Sequence, residues 1–259
     1  MTYLRRFTAG TGSGTREAGG GDASPTVIVF PQAGAGCLRL HAVVPVLPPG
    51  VNLLGVQLPG REDRLADPPA HDLSEVVDRI AAECLAHTRS TAPARRGPLF
   101  LLGVSLGAVI AYEVARKLES EGAAARSLVV AAARSPEHWS TFPAADPPPE
   151  QVTALLHPSV RESASARYAA ATMRADLRLM AGYDVPPTGL TRTSLRSVSG
   201  RHDSVAATAQ MSGWRDRTTD YRGHQVIDAD HHAFMSQDVL AGMLTEIASE
   251  TAASRAVRA

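Results

Sequence analysis

Short apolar runs and amphipathic stretches take turns along most of this chain. Residues 26–30 read Thr-Val-Ile-Val-Phe, a β-branched, apolar run of the kind expected of a parallel strand buried on both faces. The pattern returns at 51–58, 98–104, 127–133, 195–199 and 223–227. Between and after these runs, apolar positions recur at helical intervals over 38–47, 73–88, 108–122, 204–218 and 234–249. In 73–88, Leu73, Val76, Val77, Ile80 and Ala81 fall on one face, and Asp72 is placed to cap the helix. The stretch 108–122 stops at Gly122. Strands alternating with helices predict a mostly parallel, doubly wound α/β sheet.

Two stretches depart from this alternation. Residues 1–24 read as a tail, flexible from 8 to 22, where Gly, Thr and Ser dominate without an apolar period. Gly10, Gly12 and Gly14 have the look of a phosphate loop, but they precede the first strand instead of following it, so a nucleotide site is rejected. Residues 25–259 then form one domain. Within it, 136–187 contains no strand pattern; Pro143 and Pro147-Pro148-Pro149 make a hinge, and helical patterns run over 151–157 and 164–183. This insertion, about 137–187, predicts a helical lid over a site.

Composition narrows the function classes. A chain of 259 residues can bury a core without disulfides or a structural metal. Lys+Arg and Asp+Glu are 26 each, and a formal charge of zero argues against nucleic acid. No run of about 18 apolar residues is present to span a membrane. No apolar segment follows Arg5 and Arg6, so no secretory signal is expected. The two cysteines, Cys37 and Cys84, are too few for a zinc ribbon or a disulfide scaffold, and a reducing cytoplasm is the expected setting.

Chemistry concentrates at Gly103-Val104-Ser105-Leu106-Gly107. This G-x-S-x-G lies between a strand and a helix, where a tight elbow pushes the serine hydroxyl into the open. The following helix offers free N–H groups and a partial positive charge to a developing oxyanion. A serine nucleophile needs a base and an acid that orients it, in the chain order Ser, Asp, His for the α/β-hydrolase fold. Asp203 follows the strand 195–199, although it also suits the cap of the next helix. His231 and His232, in Asp228-Ala229-Asp230-His231-His232, follow the last strand, and one of them is the expected base. A metal cluster here is disfavoured, because adjacent side chains on extended chain point in opposite directions and no spaced third ligand accompanies them. His202 is expected to face solvent, and Cys37 to be a small packing residue.

With these positions in place, the chain resembles the type II thioesterases that accompany polyketide synthases and nonribosomal peptide synthetases, which are free-standing α/β hydrolases. The resemblance spans about 27–244. Phe30-Pro31-Gln32-Ala33-Gly34 is similar to the family's F-P-H-A-G loop, and Gln57 to Arg64 to its Q-x-P-G-R-E-x-R signature. Tyr112-Glu113-Val114-Ala115 matches the run after the elbow, Arg174-Ala175-Asp176 with Tyr183 matches the lid, and Gly200, Asp203 and Trp214 match G-x-x-D with its following Trp. Aligning the family's G-G-H-F-[FY] on Asp230-His231-His232-Ala233-Phe234 puts the catalytic histidine at His232. Val104, Gln32 and Ala233 depart from the family's His, His and Phe, and bear on pocket shape and substrate choice.

The resemblance implies a catalytic set of Ser105, Asp203 and His232, with the backbone N–H groups of Ala33 and Leu106 as oxyanion hole. It implies hydrolysis of acyl groups from the phosphopantetheine arm of an acyl or peptidyl carrier protein by a cytoplasmic monomer, without organic cofactor or metal. Lid residues Leu155, Leu156, Tyr168, Met173, Leu177 and Met180 are candidates for the acyl pocket, and Arg161, Arg167 and Arg174 for steering an acidic carrier. The same triad would serve a carboxylesterase or acyltransferase, and a carrier-binding protein with a degenerate site is the non-enzymatic alternative.

Overall fold

The computed structural model describes residues 2–8, 24–90, 96–139 and 147–256. Seven strands, β1 (Leu4–Phe7), β2 (Ser24–Phe30), β3 (Asn52–Val56), β4 (Arg96–Val104), β5 (Ser127–Ala131), β6 (Ser194–Gly200) and β7 (Tyr221–Ile227), form one sheet in the order β1-β3-β2-β4-β5-β6-β7. All neighbours are parallel except β1, which lies antiparallel on β3.

The central strands are apolar at successive positions because both faces are covered. Ile28 and Phe30 pack on one side with α1 (Leu73–Ser90) and α2 (Leu106–Ser120). Val27 and Val29 pack on the other with Leu40 and α6 (Gln237–Ala256). The Asp72 cap is present, its Oδ1 accepting from Glu75 N at 3.2 Å. Gly122 follows α2 with φ +78°, in the left-handed region that favours glycine.

The tail expected over 1–24 is corrected at its start. Leu4–Phe7 is an edge strand whose Phe7 is buried, with Tyr3 buried just before it. Arg5 and Arg6 obscured it in the sequence: an antiparallel edge strand tolerates charge that a central strand does not. Most of the stretch expected to be flexible lies outside the described residues.

Two expected α-helices are also corrected. Residues 38–47 form two short 3-10 segments, Leu38–Ala42 and Val44–Val46, with Pro45 inside the second. Thr208–Arg217 is likewise 3-10. In each region the buried residues sit three apart, Leu40 with Val43 and Met211 with Trp214, which is the 3-10 period.

The lid is helical as expected: α3 (Pro149–Leu155), α4 (Pro158–Arg161) and α5 (Ala166–Leu179). Pro143 lies outside the described residues. Among the described residues, no helix is long and apolar enough to cross a membrane.

Candidate active site

Ser105 stands between β4 and α2 with φ 54° and ψ −122°, a strained conformation for a residue with a Cβ. Its surroundings fix it. The Ser105 N–H donates to Ala131 O at 2.9 Å, and Ala108 N–H donates to Ser105 O at 2.9 Å. The flanking glycines are sterically required: a Cβ on Gly103 would overlap Cα of Ala108, and one on Gly107 would overlap the carbonyls of Phe30 and Pro31. That second contact sets the start of α2 directly against the loop after β2. Leu106, at the first position of α2, therefore lies beside the loop bearing Ala33, and its N–H is one of the four that a helix leaves without an internal acceptor.

Asp203 follows β6, and its side chain is fully buried. Its Oδ1 accepts from the N–H groups of Val205 at 2.8 Å and Ala206 at 2.7 Å, so it does cap the turn. Its Oδ2 accepts from Nδ1 of His231 at 2.9 Å. Burial works to raise the carboxyl pKa, but the bond and charge of His231 and the two backbone donors together hold it below the ordinary range.

The sequence alignment placed the orienting contact on His232; the structure places it on His231. His231 is 8% exposed and lines one pocket with Ser105, Ala33, Gln32 and Ala132. His232 turns into a neighbouring pocket instead, its ring in edge contact with His157 of the lid at 5.1 Å between centroids. The reason is the short 3-10 turn after β7. Phe234, wholly buried against the α6 side of the sheet, and His231 sit three residues apart on its inward face, which turns His232 outward. With His231 in the family's histidine place, His232 and Ala233 occupy the two aromatic positions.

The Ser105 pocket is narrow, with a cavity volume of about 40 Å³, and mainly apolar, walled by Trp139, Val205 and Ala206 and by Leu155, Met173 and Leu177 of the lid. Of the other expected lid residues, Leu156 is buried in the lid's own core, and Tyr168 is half-exposed in the neighbouring pocket. Met180 is corrected: it packs into the main core against the sheet, not into the pocket.

The remaining motif residues brace this site. Arg61 and Asp176 form a buried bidentate pair at 2.5 and 2.7 Å. Asp176 Oδ2 also accepts from Gly34 N–H at 2.7 Å, and Arg61 donates to Ala35 O at 3.1 Å. Gln57 accepts from Cys37 N–H at 2.8 Å and donates to Arg61 O at 3.2 Å. The loop carrying Ala33 is thus bound to α5 and to the segment after β3 together. Tyr183 donates to Glu113 on α2 at 2.7 Å, and Trp214 donates to Ala133 O at 2.8 Å. Cys37 is wholly buried, and burial pushes its thiol up to about 12, which leaves it without a nucleophile's thiolate. His202 is exposed and bonds Asp228 at 2.8 Å. Among the described residues, no group of three or more His, Cys, Asp or Glu is arranged to hold a metal.

A thioesterase-domain family model matches residues 25–251. The chain belongs to the thioesterase domain family. It is 28% identical over 243 residues to a probable cadicidin biosynthesis thioesterase of Streptomyces griseus, covering 90% of this chain and 64% of that protein's length. Among solved structures, the RedJ thioesterase from the prodiginine biosynthetic pathway in Streptomyces coelicolor aligns with TM-score 0.75 and 25% identity, covering 88% of this chain and 86% of that one. The type II thioesterase BorB from the borrelidin biosynthetic cluster aligns with TM-score 0.70 and 24% identity over 94% and 95%, a likeness of fold. The thioesterase domain thus has the α/β-hydrolase fold with a helical lid inserted between β5 and β6.

Proposed function

We propose that this protein is a type II thioesterase that hydrolyses acyl groups from the phosphopantetheine arm of an acyl or peptidyl carrier protein, serving a polyketide synthase or nonribosomal peptide synthetase. The observation that carries the reading is the strained Ser105 elbow and the His231–Asp203 pair meeting on one apolar pocket.

His231 donates Nδ1–H to Asp203, which leaves Nε2 as its acceptor. The Ser105 hydroxyl proton passes to Nε2 as Oγ attacks the thioester carbonyl carbon. The N–H groups of Ala33 and Leu106 hold the oxyanion. Collapse breaks the C–S bond, and His231 returns its proton to the departing thiol. Water then attacks the acyl-enzyme, giving its proton to His231, and the released Ser105 alkoxide recovers it as the free acid leaves. Every proton is carried by these side chains, so no cofactor or metal enters. A carrier-borne substrate places the reaction in the cytoplasm.

The test is a panel of carrier proteins bearing different acyl groups, with release followed by mass, beside the matching oxygen esters. Faster turnover of the carrier thioesters supports the reading. Preference for oxygen esters, or transfer to an added alcohol in place of hydrolysis, overturns it.

A further inference from the structure

Two polar atoms in the wall of the cleft are buried without a partner, Oε1 of Gln32 and Nδ1 of His232. Both side chains line the outer pocket, and Gln32 also lines the inner one with Ser105. Native folds leave few buried polar atoms unbonded, and such atoms in a cleft wall mark where a ligand completes the bonding. Among the described residues, most other polar groups of the outer pocket are already engaged, while exposed Arg39 reaches into solvent at its rim. Arg61 is paired with Asp176, Glu62 accepts from Leu38 N–H at 3.0 Å, His157 Nδ1 bonds Ser159 at 2.7 Å, and Thr172 donates to Tyr168 O at 2.9 Å.

The missing ligand is defined by what these atoms exchange. Oε1 accepts. The His232 pKa is lowered, first by burial and then by His231, His157 and Arg161, which favours the neutral ring, whose Nδ1 accepts or donates according to tautomer. An anion would face the Gln32 oxygen, and a cation would face Arg39 and Arg61. A neutral group with both an N–H and a C=O, a secondary amide, fits.

We propose that Gln32 and His232 form a subsite that hydrogen-bonds a secondary amide in the arm of the departing thiol, while the acyl chain fills the inner pocket. This rests on the thioesterase reading. The division follows from the two linings. Trp139, Leu155, Leu177 and Val205 suit an acyl chain, whereas the outer pocket mixes polar with apolar groups and reaches the surface past exposed Leu65 and Tyr168, where an arm must enter. Gln32 stands where the family pattern has His, and His232 where it has an aromatic residue.

The experiment measures kcat and KM for one acyl group on three thiols: pantetheine, N-acetylcysteamine and amide-free butanethiol. The enzymes are wild type, Gln32→Leu and His232→Phe, the last keeping a ring against His157. A fourth substrate carries its amide in the acyl group of a butanethiol ester. Expected is a fall of about three- to tenfold in the preference for amide-bearing over amide-free thiols in each variant, expressed mainly in KM. Equal loss on all thiols, or an unchanged preference in both variants, overturns the proposal. A loss confined to the acyl-amide substrate overturns the assignment to the arm. Wild type that cleaves none of the thioesters overturns the thioesterase reading itself, and the subsite with it.

Discussion

The two walls of the Ser105 pocket are built differently. One stands on the carboxyl ends of β4, β5 and β6, whose core residues are close to fully buried on both faces, and of the more exposed edge strand β7. It holds two non-glycine residues at positive φ, Ser105 at 54° and Ala132 at 47°, which persist because the packing around them over-determines the backbone. The other wall is the lid. Its core is four buried side chains, Val152, Leu156, Met173 and Leu177; a buried ion pair, Arg61 with Asp176, ties it to the segment after β3, and Asp176 also holds Gly34 N–H of the loop after β2. Groups that must hold their geometry within fractions of an ångström sit on the sheet, and groups that must yield to different acyl chains sit on the element with the smaller core. Substitutions on the sheet wall should therefore abolish chemistry, and those on the lid should redistribute it.

The strongest break is Ser105→Ala, expected to lower kcat by more than about 10³-fold while Tm stays near wild type. Turnover retained above that level would remove Ser105 as nucleophile. His231→Ala should lose a comparable amount, whereas His232→Ala should stay within about tenfold of wild type. The reverse order would return the base to His232. Both are read from steady-state rates on one carrier-bound substrate.

The histidine pair also marks where the sequence was legible. The elbow could be read because its serine, glycines, strand and helix are contiguous. Asp203 could be read because it follows a strand whose apolar run is plain. Choosing between His231 and His232 needed the inward face of a 3-10 turn, and matching Phe234 to the family's aromatic displaced the choice by one residue. Edge strand β1 was hidden by Arg5 and Arg6. A buried ion pair was one reading of Arg61, but its partner, like those of Asp176 and Tyr183, was hidden because it lies on a distant segment; Asp176 is 115 residues from Arg61. Motif spacing flagged these residues but said nothing of what each one touches.

The next break separates the lid from the sheet. Asp176→Leu leaves the Arg61 guanidinium buried against carbonyls alone and releases Gly34 N–H. We expect a loss of about 3 kcal/mol, with new protease cleavage in 147–187 preceding global unfolding. Lys-for-Arg at position 61 should lose nearly as much, since an ammonium cannot bond both carboxylate oxygens in parallel. If Asp176→Leu leaves both Tm and the cleavage pattern unchanged, the ion pair does not hold the lid.

Sharpening replaces breaking at Met173. Met173→Trp should shift the preferred acyl length downward by a few carbons with little loss on the shortest substrate, because its side chain walls the pocket. Met180→Trp is the control from the main core: it should lower Tm by overpacking and leave the acyl ranking as it was. An unchanged ranking in Met173→Trp would move the acyl chain out of the inner pocket.

The smallest expected effect is in pH and isolates one residue of the lid contact. His232 has its pKa lowered in the folded protein by burial, and further by His231, His157 and Arg161, against the opposing pull of Asp230. Below the ordinary histidine value of about 6.5, the unfolded chain binds a proton at this residue that the folded chain resists. Stability then rises with pH through this window, so the contribution is present above about 6.5 and is lost as pH falls toward the lower folded value. His224 is lowered by burial in the same direction, but it is common to wild type and a His232→Phe variant and cancels in their difference. The Tm of wild type minus that of His232→Phe should therefore become more negative from pH 7.5 to 5.5, by on the order of 1 °C, the ring being partly solvated. A difference that stays flat over this range would mean that His232 takes up its proton in the folded protein as readily as in water, and that the lid does not shield it.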